Sequence, residues 1–239
     1  MKKNITTIII LLLALVGEAA AQTADTITVR IKGMKCDECA HKVMTKVMEN
    51  KGVNDIWFNI ERRTATVSYD PVATSPDAIL TPLRGTRYNP TDYSPADTIL
   101  RGFGLRMEEM QADNDALRAT TALQGQMGVD SLAPHLDKHY LFVRYDANRT
   151  SKAEIKRLLL EAGFTPTNYY TGPKVAYAVY RLATGSALVA LDEVLAVKGV
   201  EDAVYNNQKG RLAITYFTDE TQADKLLADL QAIGVKVAL

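Results

Sequence analysis

Gly33-Met34-Lys35-Cys36-Asp37-Glu38-Cys39 holds the only two cysteines of this 239-residue chain. On its N-terminal side Ile27, Val29 and Ile31 alternate with Thr28, Arg30 and Lys32, the period-2 pattern of a half-buried strand. On its C-terminal side Ala40, Val43, Met44, Val47 and Met48 recur at helical spacing, with Lys42, Lys46 and Glu49 on the other side. That pattern predicts an amphipathic helix. The cysteines therefore fall between a strand and the first turn of a helix. Unpaired N–H groups and the positive end of the helix dipole point there, and both favour thiolates. Two thiolates separated by two residues on an exposed loop suit a soft metal ion.

Working outward, Gly52-Val53 ends the helix and leads into Ile56, Phe58 and Ile60. Glu61-Arg62-Arg63 reads as a hairpin turn, and Ala65, Val67 and Tyr69 form the returning strand. Ser75 caps a second helix with Pro76 at its first position, and Ile79, Leu80 and Leu83 face its core. Arg87-Tyr88 is expected to open a fourth strand. The pattern then repeats. At an offset of 76, Gly52-Val53 becomes Gly128-Val129, Tyr69-Asp70 becomes Tyr145-Asp146, Ile79 and Leu83 become Ile155 and Leu159, and Met34 becomes Met110. At an offset of 147, Lys51-Gly52-Val53 becomes Lys198-Gly199-Val200 and Tyr69 becomes Tyr216. The expectation is an α+β chain of three tandem ferredoxin-like βαββαβ modules. Each has an antiparallel sheet with two helices on one face. The modules span residues 22–95, 98–170 and 173–239, with turn-rich boundaries at 92–97 and 169–173. At these offsets Cys36 and Cys39 map to Ala112 and Asp115 in the second module, and to Ala183 and Ser186 in the third. Only the first module keeps the thiols. Gly102-Phe103-Gly104 is expected to be an irregular strand start.

Gly33, Met34, Cys36 and Cys39, set between a strand and a helix, resemble the heavy-metal-associated (HMA) domain family, whose signature is Gly-Met-x-Cys-x-x-Cys in a βαββαβ fold. The resemblance implies a metal site at Cys36 and Cys39, and transfer of the ion to a protein partner. Two ligands match low-coordinate Cu(I), and the resemblance implies the same ion. Structural zinc wants four ligands, and the chain offers no second Cys or His pair at that spacing. Asp37 and Glu38 could add an oxygen ligand and tilt the site toward Zn(II) or Cd(II); Hg(II) is a further alternative. Against that, acids at a helix start are favourable when they simply face solvent. Met34, His41 and Tyr88 are auxiliary candidates. Met34 is better read as packing beneath the loop, since Met110 persists where no cysteine does. His41 lies on the polar side of the helix. Tyr88 falls where the family places a loop aromatic beside the metal. His135 and His139 flank a hairpin turn in the second module, where exposed histidines are usually solvated.

Lys2-Lys3, the apolar run Ile8 to Val16 and Ala19-Ala20-Ala21 read as an export signal cut after Ala21. The run is shorter than the roughly 20 residues of a membrane-spanning helix. The expected product is periplasmic or secreted, with no membrane span in the mature chain. Losing Lys2, Lys3 and Glu18 from 28 basic and 28 acidic residues leaves 26 and 27, a balance that argues against a nucleic-acid partner. No paired carboxylates, Ser-His-Asp set or phosphate loop appears, so no enzymatic activity is expected. Two alternatives stand beside metal carriage. One is an adaptor built of ferredoxin-like modules with an oxidised or vestigial cysteine pair. The other is a thiol–disulfide oxidoreductase, which the missing downstream cis-proline pattern disfavours.

Overall fold

A computed structural model describes residues 24–184 and 189–238. The expected leader at 1–21 and Ser186 lie outside the described residues. The described chain divides into two compact units, 24–93 and 94–238.

The first unit is one module. Strand β1 (Asp25–Ile31) leads to helix α1 (Asp37–Met48), then to the hairpin β2 (Val53–Asn59) and β3 (Thr64–Tyr69). Helix α2 (Pro76–Leu80) and strand β4 (Pro90–Asp92) complete it. The antiparallel sheet runs β2-β3-β1-β4, which is the ferredoxin-like order. Val43 and Val47 of α1 and Ile79 of α2 share one core with Val29, Ile31, Ile56, Ala65 and Val67 of the sheet. Each Val or Ile among them, fully buried, contributes about 1.5–3 kcal/mol. Ser75 caps α2 by accepting the N–H of Ala78 at 3.4 Å. The fourth strand starts later than expected. Arg87 and Tyr88 sit in a turn, where the Thr86 hydroxyl accepts the Tyr88 N–H at 3.1 Å, and pairing with β1 begins only at Pro90.

The second module repeats this plan with β5 (Leu100–Arg106), α3 (Asp113–Leu123), β6 (Val129–His135), β7 (Tyr140–Asp146), α4 (Lys152–Glu161) and β8 (Thr167–Tyr169). Its sheet order is β6-β7-β5-β8. Gly102-Phe103-Gly104 is not a strand start but the middle of regular β5. A Cβ on Gly102 would come 2.6 Å from the Phe142 ring, and one on Gly104 would meet Tyr169 at 3.1 Å. These glycines make room for neighbouring aromatic rings on the open face of the sheet.

The third module contains β9 (Val175–Arg181), α5 (Leu191–Leu195), β10 (Val200–Asn206), β11 (Arg211–Phe217) and α6 (Ala223–Ala232). Its sheet is β10-β11-β9, and the fourth strand shrinks to one bridge, Leu182 to Val237. A glycine at positive φ precedes the second strand of all three modules, at Gly52, Gly128 and Gly199. A bulge follows it each time, at Val53/Asp55, Val129/Ser131 and Val200/Asp202. The offset of 147 holds from there onward but fails before it. Tyr69 pairs with Asp25, whereas Tyr216 pairs with Ala176, so the first strand is displaced by four residues. The connection between the first two strands is four residues shorter than in the first module, and its helix α5 has 5 residues where α1 has 12. Ala183 therefore follows Leu182 as Lys32 follows Ile31. It is not the counterpart of Cys36.

Within the second unit the two modules share a polar contact. The edge of β8 is satisfied by side chains of the third module. The Asn168 N–H donates to Asp202 at 2.7 Å, and the Asn168 carbonyl accepts from the Thr215 hydroxyl at 2.9 Å. Lys156 pairs with the same Asp202 at 2.6 Å, with both side chains largely covered. Asn206 is buried and gives its amide N–H to the Phe164 carbonyl at 2.9 Å. A buried ion whose partner is removed costs several kcal/mol. Asp202→Ala should therefore lower the stability of the second unit by about 2–3 kcal/mol and leave the first unit's unfolding unchanged. Denaturant unfolding of 94–239 should show one transition with a lower midpoint. Loss of under about 0.5 kcal/mol, the level of an ordinary surface change, would mean the contact is incidental. Among the described residues no helix is long and apolar enough to cross a membrane.

Candidate metal centre

The loop after β1 is shaped from below. Met34 is fully buried in the module's core, and its N–H bonds the Ile31 carbonyl at 2.9 Å. Its sulfur serves packing rather than ligation. Gly33 passes so close to the next loop that a Cβ there would lie 1.9 Å from the Arg87 carbonyl oxygen. Only glycine fits this crossing, although its φ is ordinary. Cys36 then takes the N-cap position of α1 in extended conformation, and Ala40 donates its N–H to the Cys36 carbonyl at 3.0 Å.

Cys36 is exposed and Cys39 is buried in the first turn. Their sulfurs are 2.7 Å apart and both are free thiols. The hydrogen bond from Cys36 pulls the Cys39 thiol down to about 7. The Lys35 and Cys36 backbone N–H groups and the Tyr88 hydroxyl add to this, and burial opposes it. The Cys36 thiol is pushed up, chiefly because Cys39 holds its proton. The two shifts are opposite halves of one hydrogen bond, so the pair gives up its first proton more easily than its second. One thiolate should appear in a pH titration of ultraviolet absorbance near pH 7, and the second only above the ordinary thiol range. Tyr88→Phe should move the first step upward, since it deletes a donor to the charged form. An unmoved first step would remove Tyr88 from the site.

Tyr88 is 5% exposed, beside Cys39 and under the Arg87 guanidinium, whose carbon is 5.1 Å from the ring centre. Arg87 gave no signal in the sequence, because an arginine before a turn has no distinctive spacing. Glu38 turns away to Lys42 at 2.5 Å on the exposed side. His41 is exposed on α1, and among the described residues no group of three or more His, Cys, Asp or Glu could hold an ion together. His135 stacks on Tyr140 with ring centres 4.3 Å apart, and His139 bonds the Met110 carbonyl at 2.9 Å. Each of these histidines has its own partner.

The second module shows the same loop without sulfur. Ala112 takes the N-cap position and Asp115 the place of Cys39. The Asp115 carboxylate accepts from the Gln111 and Ala112 N–H groups at 3.2 and 3.1 Å. These correspond to the Lys35 and Cys36 N–H groups that meet Cys39. Phe164 replaces Tyr88, and Arg118, in the place of Lys42, stacks over it at 4.6 Å. The hydroxyl disappeared along with the thiols.

Residues 28–89 match the model of the heavy-metal-associated domain. Copper-transporting ATPase 2 of Homo sapiens is 39% identical over 54 residues, which are 23% of this chain and 4% of that protein's length. Among solved structures, the N-terminal soluble domains of Bacillus subtilis CopA are 21% identical, cover 62% of this chain and 95% of their own, and give a TM-score of 0.28. Oxidized MerP from Ralstonia metallidurans CH34 is 25% identical, covers 28% of this chain and 94% of its own, and gives 0.27.

Proposed function

We propose, from the premise that residues 28–89 form a heavy-metal-associated domain, that this chain binds one soft metal ion through Cys36 and Cys39 and passes it to a protein partner. Cu(I) is the ion the donor set favours, ahead of Zn(II), Cd(II) and Hg(II). The observation that carries the reading is the sulfur pair itself: two soft donors at a helix start, 2.7 Å apart, one buried and one exposed. Soft thiolates select Cu(I) and related ions, and the Glu38 carboxylate, an oxygen donor that would suit a harder ion, is turned away toward Lys42. The sulfurs, 2.7 Å apart, would have to separate to hold an ion between them. Cys36, exposed and at the cap, is the side chain free to swing. The same freedom leaves one side of the ion open to an incoming thiolate from the partner.

Export through the leader expected at residues 1–21 fits this role, because a carrier in an oxidising compartment needs its thiols covered by metal. The two cysteine-free modules supply docking surface. Protein purified anaerobically from copper-supplemented cells should carry about one copper per chain. Metal-free protein should reduce insulin no faster than free dithiol. Protein without copper that turns over disulfides well above that control would replace the carrier with an oxidoreductase.

A further inference from the structure

The strands β1, β5 and β9 hold the same place in their sheets, and each carries an arginine at the same register. Arg30 faces Thr64, Arg106 faces Tyr140, and Arg181 faces Arg211. Arg106 is held on both sides, by the Glu108 carboxylate and by the Tyr177 ring 4.6 Å away. Arg181 is exposed, and its guanidinium has no hydrogen bond, ion pair or ring contact among the described residues. Its cross-strand neighbour is another arginine, a like-charge pairing that is unfavourable unless an anion relieves it. Glu109 relieves Arg211 at 3.2 Å. That carboxylate is already shared with the Thr165 hydroxyl at 2.7 Å and the Thr165 N–H at 3.3 Å, so it has nothing left for Arg181.

Both arginines line a cleft of about 430 Å³ between the second and third modules, whose other walls are Glu108, Gln111, Tyr177 and Val179. Its size falls in the range of ligand sites, about 300–1,000 Å³. Glu108 is occupied by Arg106. Gln111 donates its amide N–H to the Glu108 carbonyl at 2.7 Å, which leaves its amide oxygen as an acceptor. Val179 is 38% exposed and gives an apolar floor. One unpaired guanidinium, one apolar patch and one acceptor match three parts of a single chemical group. We propose that this cleft binds an apolar amino-acid carboxylate, as found at the C-terminus of a peptide. The carboxylate lies on Arg181, the side chain on Val179 and the N–H on Gln111.

The full reduced chain, titrated at fixed ionic strength and followed by NMR shifts, tests this with N-acetyl-leucine, N-acetyl-leucinamide and a hexapeptide ending in a free leucine. The acid should saturate in the millimolar range, as expected for a ligand of few atoms. The amide should bind about ten-fold more weakly or worse, because a charge-assisted fork is lost. Arg181→Ala should remove binding, and Arg181→Lys should weaken it several-fold, since ammonium keeps the charge but not the fork. Both variants change an exposed side chain and should unfold like the parent. Tighter binding of the hexapeptide identifies a protein terminus as the source, and equal affinity identifies a free acid. Equal binding of acid and amide, unchanged binding by Arg181→Ala, or no saturation by any probe overturns the assignment.

Discussion

Cys36→Ser combined with Cys39→Ser is expected to abolish tight Cu(I) binding and to leave unfolding of residues 24–93 within about 1 kcal/mol of the parent. A serine hydroxyl stays protonated at neutral pH and is a hard donor, so neither the charge nor the softness of the site survives. The fold has little to lose. Cys36 is exposed, and a hydroxyl at position 39 still accepts from the N–H groups that the sulfur used. Competition against a Cu(I) chelator and denaturant unfolding read the two halves separately. A double variant that bound Cu(I) like the parent would place the site elsewhere. In the parent, affinity should fall as pH drops, because protons compete for the Cys36 sulfur already above neutral pH and for the Cys39 sulfur as well below about 7.

Gly33→Ala is expected to cost the first unit about 3 kcal/mol or more, the upper range of overpacking effects. The added carbon would sit 1.9 Å from a backbone oxygen, and neither the strand end nor the 87–88 turn has a flexible atom to yield. Displacing that turn also moves Tyr88 away from Cys39, so metal affinity should drop along with stability. Gly85→Ala is the comparison. Gly85 has positive φ but nothing within 4 Å, so it should cost only about 1 kcal/mol. Fluorescence of Trp57, the chain's single tryptophan, reports both transitions. Equal losses at the two glycines would mean that the close crossing does not constrain the loop.

The module plan was legible because each signal was local. Alternation in Ile27-Val29-Ile31, the helical stripe through Val43 and Val47, and the Ser75-Pro76 cap are set by periods and turn chemistry. The repeated Gly-Val marked equivalent points in all three copies. The four-residue shortening of the third module's first connection was not legible, because an offset measured downstream says nothing about a deletion upstream of it; only strand pairing reveals that. Nor was the start of β4, where the Thr86–Tyr88 turn outcompetes strand extension, or the regularity of β5, whose glycines answer rings from other strands. Around the candidate site, the strand–loop–helix setting of Cys36 and Cys39 followed from spacing, and the burial of Met34 from its repeat partner Met110. The opposite shifts of the two thiols did not, since they follow from the bond between the sulfurs, nor did the place of Arg87 over Tyr88, which depends on a loop about fifty residues further along the chain.

Asp115 shows what the loop requires of its occupant. The same two N–H groups that face sulfur in the first module face a carboxylate in the second. The scaffold's demand is for an acceptor carrying negative charge, and sulfur is one way of meeting it. After duplication, a copy could give up its thiols without a hole opening at the head of its first helix. A carboxylate neither oxidises nor is a soft donor, so the second copy keeps the shape of the loop without its sulfur chemistry. A chain built this way can add a module without adding a second pair of sulfurs.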